Sequence, residues 1–325
     1  MSRASEFLQR RQVALYLLAL AAGAAAGLAA PGLGPIVDPA ITPVLALLLF
    51  VTFLGVPFSR WVTALRDRRF LTVVLVLNFV VVPLLVYGLS RFVAADAAIL
   101  VGVLLVLLTP CVDYVVVFAG LAGGARDRLL AATPLLMLAQ IALLPVFLLV
   151  MAGPEALRAA DAGPFVAAFL LLILAPLAAA SLAQVLARRW TAAGRFVALA
   201  ETAMVPLMML TLALVVASQV HAVTGRWSSL LAVVPLFVAF ALAAAVVAAI
   251  VARVGGLDVA GRRAAVFSGV TRNSLVVLPL ALALPPAFAI APLVVVTQTL
   301  VELVVMVAMV AVVPRVIRDR SSGAR

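Results

Sequence analysis

Two short polar stretches interrupt long apolar runs and hold side chains that could do chemistry. The first is Leu108-Thr109-Pro110-Cys111-Val112-Asp113-Tyr114, and the second is Ser268-Gly269-Val270-Thr271-Arg272-Asn273-Ser274. A third element, Thr299-Leu300-Val301-Glu302-Leu303, sets one carboxyl inside an apolar segment. Pro110 removes a helical hydrogen bond and clashes with the preceding turn, so the spacing predicts a helix break there. Gly269 and the polar residues after it predict a matching break in the second stretch. Backbone groups freed at such breaks, and the ends of the half-helices, become ligands for small polar substrates and ions.

Each of these side chains has a functional and a structural reading. A buried thiol is ordinarily a small hydrophobe. At a break, where non-helical backbone lines protein or a cavity, Cys111 becomes a candidate contact for a soft metalloid. Glu302 reads as a proton carrier, against the alternative of a static ion pair with Arg272. Arg272 keeps its charge and needs a partner, with Asp113 and Glu302 as candidates; it could also clamp an anionic substrate. Asp113 is grouped with Glu302 in proton coupling. Asn273, beside the second break, is the best neutral ligand candidate. Asn78, Gln140 and Gln298 read as helix–helix hydrogen bonds. Glu201 lies near a span end and reads as structural.

The matrix around these residues fixes their setting. The chain is 67% hydrophobic and 11% charged, where soluble domains are about half apolar and a quarter charged. The excess apolar surface must face lipid, and the long non-alternating runs must be helices. The net charge of +11 comes from 23 basic residues, all arginine. Nearly all lie in short loops between apolar runs, which marks topology rather than a nucleic-acid face. A single cysteine and a single histidine, His221, exclude an internal disulfide and a His/Cys metal cage. No cofactor is expected.

Ten apolar segments are predicted, near 12–31, 39–57, 70–90, 96–121, 129–152, 164–187, 197–219, 230–252, 264–283 and 288–313. Alternate loops and both termini on one side hold 19 arginines, and the opposite loops hold only Arg91, Arg158 and Arg226. That asymmetry places both termini in the cytoplasm and the chain in the cytoplasmic membrane. The first run is about 20 residues, longer than a signal-peptide core, so it is expected to stay as a span.

The chain also reads as two halves, 1–152 and 164–325. Ala24–Ala29 aligns with Ala178–Ala183 at an offset of 154. Pro134, Leu135 and Gln140 align with Pro292, Leu293 and Gln298 at 158. Asp113 falls opposite Asn273 at 160. Five spans per copy is odd, so the second copy enters from the other side, an inverted repeat of the kind found in secondary transporters.

At these residues the sequence resembles the bile acid/sodium symporter superfamily, and within it the thiol-dependent arsenite efflux permeases. Pro110-Cys111 resembles the family's Pro-Cys in its fourth span. Thr271-Arg272-Asn273 resembles the arginine-asparagine of the ninth. Pro292-Leu293 and Leu300-Val301-Glu302 resemble the proline-leucine and the glutamate of the tenth. The resemblance implies ten spans in two inverted repeats, with crossed, broken fourth and ninth helices in a core beside a panel. It implies export of arsenite, and sometimes antimonite, in exchange for protons, with the Cys111 thiol and the Glu302 carboxyl required. Asp113 after the cysteine, and the long spacing from Pro292-Leu293 to Glu302, depart from that branch. Arg272 stands where the sodium-coupled branch carries sodium-ligating groups, and a fixed cation there disfavours sodium.

The leading expectation is therefore a proton-coupled arsenite exporter with a small inorganic oxyacid as cargo. The rival is a transporter of a small organic anion, sodium-coupled in the manner of bile-acid symporters. An intramembrane enzyme lacks a histidine to activate Cys111, and a sensor lacks an attached soluble domain.

Overall fold

The computed structural model describes residues 3–30, 32–55, 67–112, 114–153, 169–219 and 227–318. Within them every named element is helical, with one isolated backbone bridge between Pro110 and Arg272. The chain opens with α1 (Arg3–Ala29) and α2 (Leu33–Leu54). Asp67 starts α3 (Arg68–Val76) by accepting the Phe70 N–H at 3.1 Å, a side-chain cap on the first turn. A π-helical turn, Leu77–Val81, leads into α4 (Val82–Ser90). Asp96 caps α5 (Ala97–Leu107) by accepting the Ala98 and Ile99 N–H groups. Then come α6 (Tyr114–Leu121), α7 (Arg126–Ala152), α8 (Ala175–Ala187), α9 (Thr191–Thr202) and α10 (Met204–Gln219). The last four are α11 (Trp227–Val254), α12 (Val259–Val270), α13 (Ser274–Leu282) and α14 (Ala291–Val316).

Five helical segments among the described residues are long and apolar enough to cross a membrane. A sixth forms if α9 and α10, bent by 45° at their junction, are one span. The expected seventh span, 197–219, is this bent pair, which begins earlier than its apolar run. The expected fourth and ninth spans are divided: α5 and α6 flank one break, α12 and α13 the other. Each half alone is too short to cross, since about 20 helical residues are needed. The expected second span begins earlier, at Leu33. Residues 164–168 of the expected sixth span, and His221, lie outside the described residues.

The helices sort into two groups by how they pack. In one, α10 lies along α1 and α2, and α8 lies against α2 and α9. In the other, α11 packs on α12 and α14, while α14 also packs on α5 and α13. Sparser contacts of α2, α10 and residues 169–174 with α13 and α14 join the two. Ala98 to Leu107 of α5 are buried on every side, so this half-helix is the centre of the second group. It reaches α14 at Gly102, where an added Cβ would stand 2.9 Å from Val294 Cβ and 3.1 Å from Ala291 Cα.

The arginine-rich loops also hold this second group together. Arg128 bridges Asp67 at 3.2 Å and Asp258 at 2.6 Å. Arg69 donates to the Gly255 carbonyl at 2.7 Å. Arg263 donates to the carbonyls of Ile317 at 2.9 Å and Ala122 at 3.2 Å, fastening the ends of α14 and α6.

Two outcomes are expected for the purified protein. Gly102→Leu should lower the melting temperature in detergent, because overpacking a tight contact costs about 1–3 kcal/mol. Arg128→Ala should change it far less, and less again at high salt, since ion pairs with half-exposed partners contribute under about 1 kcal/mol.

Candidate functional site

The break after α5 and the break after α12 meet edge to edge. The Cys111 N–H donates to the Thr271 carbonyl at 3.0 Å, and the Asn273 N–H donates to the Thr109 carbonyl at 2.8 Å. These two bonds make a short antiparallel ribbon around Pro110 and Arg272. Unwound backbone deep in an apolar interior must find partners, and here each break supplies the other's. Pro110 carries no N–H and so asks for none. The hydroxyls of Thr109 and Thr271 turn back onto carbonyls of their own helices, Leu105, Val106 and Phe267. Asn273 restarts the chain as α13 by accepting the Val276 N–H at 3.3 Å.

Arg272 is fully buried in this crossing, at 0% exposure. Its guanidinium donates to the Ser268 and Gly269 carbonyls at 2.7 Å each and to the Leu107 carbonyl at 3.3 Å. Those oxygens belong to the last turns of α12 and α5. Such ends carry unsatisfied carbonyls and the negative pole of the helix dipole. One cation therefore caps two half-helices. A further bond, 3.0 Å, runs to Asn78 Oδ1, and the Phe240 ring lies 5.6 Å from the guanidinium carbon.

Glu302 joins from α14. Its Oε2 accepts the backbone N–H of Arg272 at 2.8 Å and the Gln298 side-chain N–H at 2.5 Å. A cavity of about 10 Å³, enough for one water-sized molecule, lies beside it, lined by Phe237, Phe240, Gln298 and Val301 among others. Cys111 is 1% exposed, so this conformation seals the thiol from solvent.

Cys111, Arg272, Asn273 and Glu302 thus lie together at one crossing. Asp113 lies outside the described residues. Pro110 sits in its break. Gly269 does not: it is in the last turn of α12, and the break falls at Thr271–Asn273. Its lack of a side chain serves packing instead, because an added Cβ would stand 2.9 Å from Ala248 Cβ and 3.1 Å from Leu77 Cδ2. The Arg272 guanidinium is turned onto carbonyls, which gives its expected role as an anion ligand no geometric support. Glu201 is exposed.

Of the three amides expected to join helices, only Asn78 does so. Gln298 bonds within its own helix, and the Gln140 side chain is buried with no hydrogen-bond partner among the described residues. Asn78 was undervalued from sequence. It donates to Ser268 Oγ at 2.9 Å and to the Val74 carbonyl at 3.0 Å while accepting from Arg272. The π turn at Leu77–Val81 holds it there, and such bulges gather at functional sites. The one available signal is Pro83, five residues on, which removes an N–H and unsettles the α-helical ladder.

Packed apolar helices around a buried, charged crossing of broken segments are an arrangement used by many secondary transporters. A family model described as the Sodium Bile acid symporter family matches residues 42–250, more than half of the chain, and the chain belongs to that family. The matched stretch includes Asn78 and Pro110-Cys111 and stops short of Arg272 and Glu302. A search of curated proteins finds no match. The family's members are transporters rather than enzymes, so the chain is of the secondary-transporter class.

Removing Asn78 should be felt throughout the crossing. Asn78→Ala strips an acceptor from a buried charge and should cost about 1–3 kcal/mol. Combined with Ser268→Ala, the loss should be less than the sum of the two, because both serve one network. Thermal melting of the four proteins in one detergent measures this.

Proposed function

We propose that the chain is a proton-coupled exporter of trivalent arsenite, with antimonite as a second substrate. It acts in the cytoplasmic membrane with both termini in the cytoplasm. The observation that carries the reading is the short covalent and hydrogen-bonded path from thiol to carboxyl. Cys111 bonds to Thr271, and the next residue, Arg272, bonds through its N–H to Glu302. A soft sulfur and an acid that exchanges a proton are therefore two backbone steps apart across one ribbon. Trivalent arsenic suits a soft thiol ligand. A change of metalloid contact at Cys111 shifts the ribbon strand that Glu302 holds, which links cargo to proton.

Ten spans in two inverted five-helix repeats, 1–152 and 164–325, complete this reading. One break comes from each half, and the two meet at the centre. The α1, α2, α8, α9 and α10 group serves as the panel, and the group around α5, α12 and α14 as the core. Sparse contacts between them suit rocking, which opens the sealed thiol to one side and then the other. Sodium and bile acid, in the family's description, support a rival in which a small organic anion moves with sodium. The use of the Arg272 guanidinium on carbonyl oxygens speaks against it as that anion's clamp.

The test is arsenite accumulation in everted membrane vesicles energised by a proton gradient. Wild type should accumulate arsenite, and both Cys111→Ser and Glu302→Gln should abolish accumulation without loss of protein from the membrane. A folded wild type that moves no arsenite overturns the proposal, and sodium-dependent uptake of organic anions is then the assay.

A further inference from the structure

The oxygens around Arg272 form a cage with a particular chemistry. Three are main-chain carbonyls, of Leu107, Ser268 and Gly269, and the fourth is the Asn78 amide oxygen. They come from three separate helical segments, and two half-helix C-termini point their negative poles inward. All four are hard, neutral donors of the type that binds small hard cations. In transporters with broken helices, unwound carbonyls and half-helix C-termini hold the coupling sodium ion or proton. Here the same kind of cage is occupied by a side chain of the protein, at 0% exposure and with a charge that cannot be neutralised.

We propose that the Arg272 guanidinium is a tethered cation standing in for an exchangeable monovalent metal ion, so that the wild-type crossing takes no sodium and removing the guanidinium creates a sodium site. The guanidinium supplies the positive charge that two converging helix ends require, and that charge is permanent. A cation that cannot leave cannot be transported. The groups left to carry an exchangeable charge lie on the other face of the ribbon, where Glu302 meets the Arg272 N–H. The inference concerns the coupling ion of the transport reading above, but it does not depend on arsenite as cargo.

The experiment uses the full-length protein purified in detergent. Melting temperature is followed while sodium chloride replaces N-methyl-D-glucamine chloride at fixed ionic strength. Wild type should melt identically in both salts, as should Arg272→Lys, which keeps a cation in place. Arg272→Ala and Arg272→Gln should melt lower, and sodium should raise their midpoints saturably, by about 3 °C or more. Millimolar guanidinium should do the same for Arg272→Ala. Adding Asn78→Ala should remove both responses, which general loosening of the crossing does not predict. Two results overturn the proposal: a saturable sodium response of wild type, or monodisperse Arg272→Ala and Arg272→Gln that ignore sodium. If neither variant folds, the wild-type titration decides by itself, indifference supporting the proposal and a saturable rise overturning it. Arsenite plays no part in these curves, so the two readings fail separately.

Discussion

A permanent positive charge sealed inside an apolar bundle has to be matched, and the matching of Arg272 organises everything near it. Leaving such a charge unpaired in a low-dielectric interior would cost many kcal/mol. The chain meets the requirement with peptide carbonyls released by two broken helices. The breaks need a cation to satisfy their exposed ends, and the cation needs oxygens that only broken helices can supply. Each half of that arrangement stabilises the other. The ribbon between Thr109 and Asn273 then fixes the relative height of the two breaks, and Glu302 fixes the ribbon against α14.

The same constraint divides the molecule into parts with different work. Around the crossing the packing is dense, and Gly102 and Gly269 allow helices to approach where a methyl group would collide. At the arginine-rich end, Arg128, Arg69 and Arg263 tie the same helices together through bonds to carboxylates and carbonyls. Among the described residues, the α1, α2, α8, α9 and α10 group shares few contacts with this assembly. The buried polar centre therefore belongs to one packed group of helices, and the second group meets it at few places among the described residues.

Much of this was legible in the sequence, for a physical reason. In a chain so apolar, any polar cluster within a run is conspicuous, so Pro110-Cys111, Thr271-Arg272-Asn273 and Glu302 stand out before any geometry, and the structure sets them at one crossing. Composition cannot show where a helix stops. Gly269 looked like a breaker, but a glycine in a tightly packed last turn leaves the helix intact, and the break waits for Thr271. The bend between α9 and α10 was hidden because the run continues apolar through it. Asn78 looked like any amide between helices, and its importance appears only once a π turn aims it at Arg272. Gln140 and Gln298, equivalent by alignment, differ in partners because a carboxyl stands one turn beyond Gln298 and none stands one turn beyond Gln140.

The π turn at Leu77–Val81 has a consequence for helical phase. A π turn is an α-helix carrying one residue too many, and each residue of an α-helix advances the chain by about 100°. A one-residue deletion there would restore a regular helix and rotate one flank of this span against the other by that angle. Asn78 could then face the crossing only if the faces of α4 now buried, Val82 and Val86, turned away from their neighbours. The surplus residue thus lets one span satisfy two incompatible azimuths, polar toward the centre and apolar toward its packing partners.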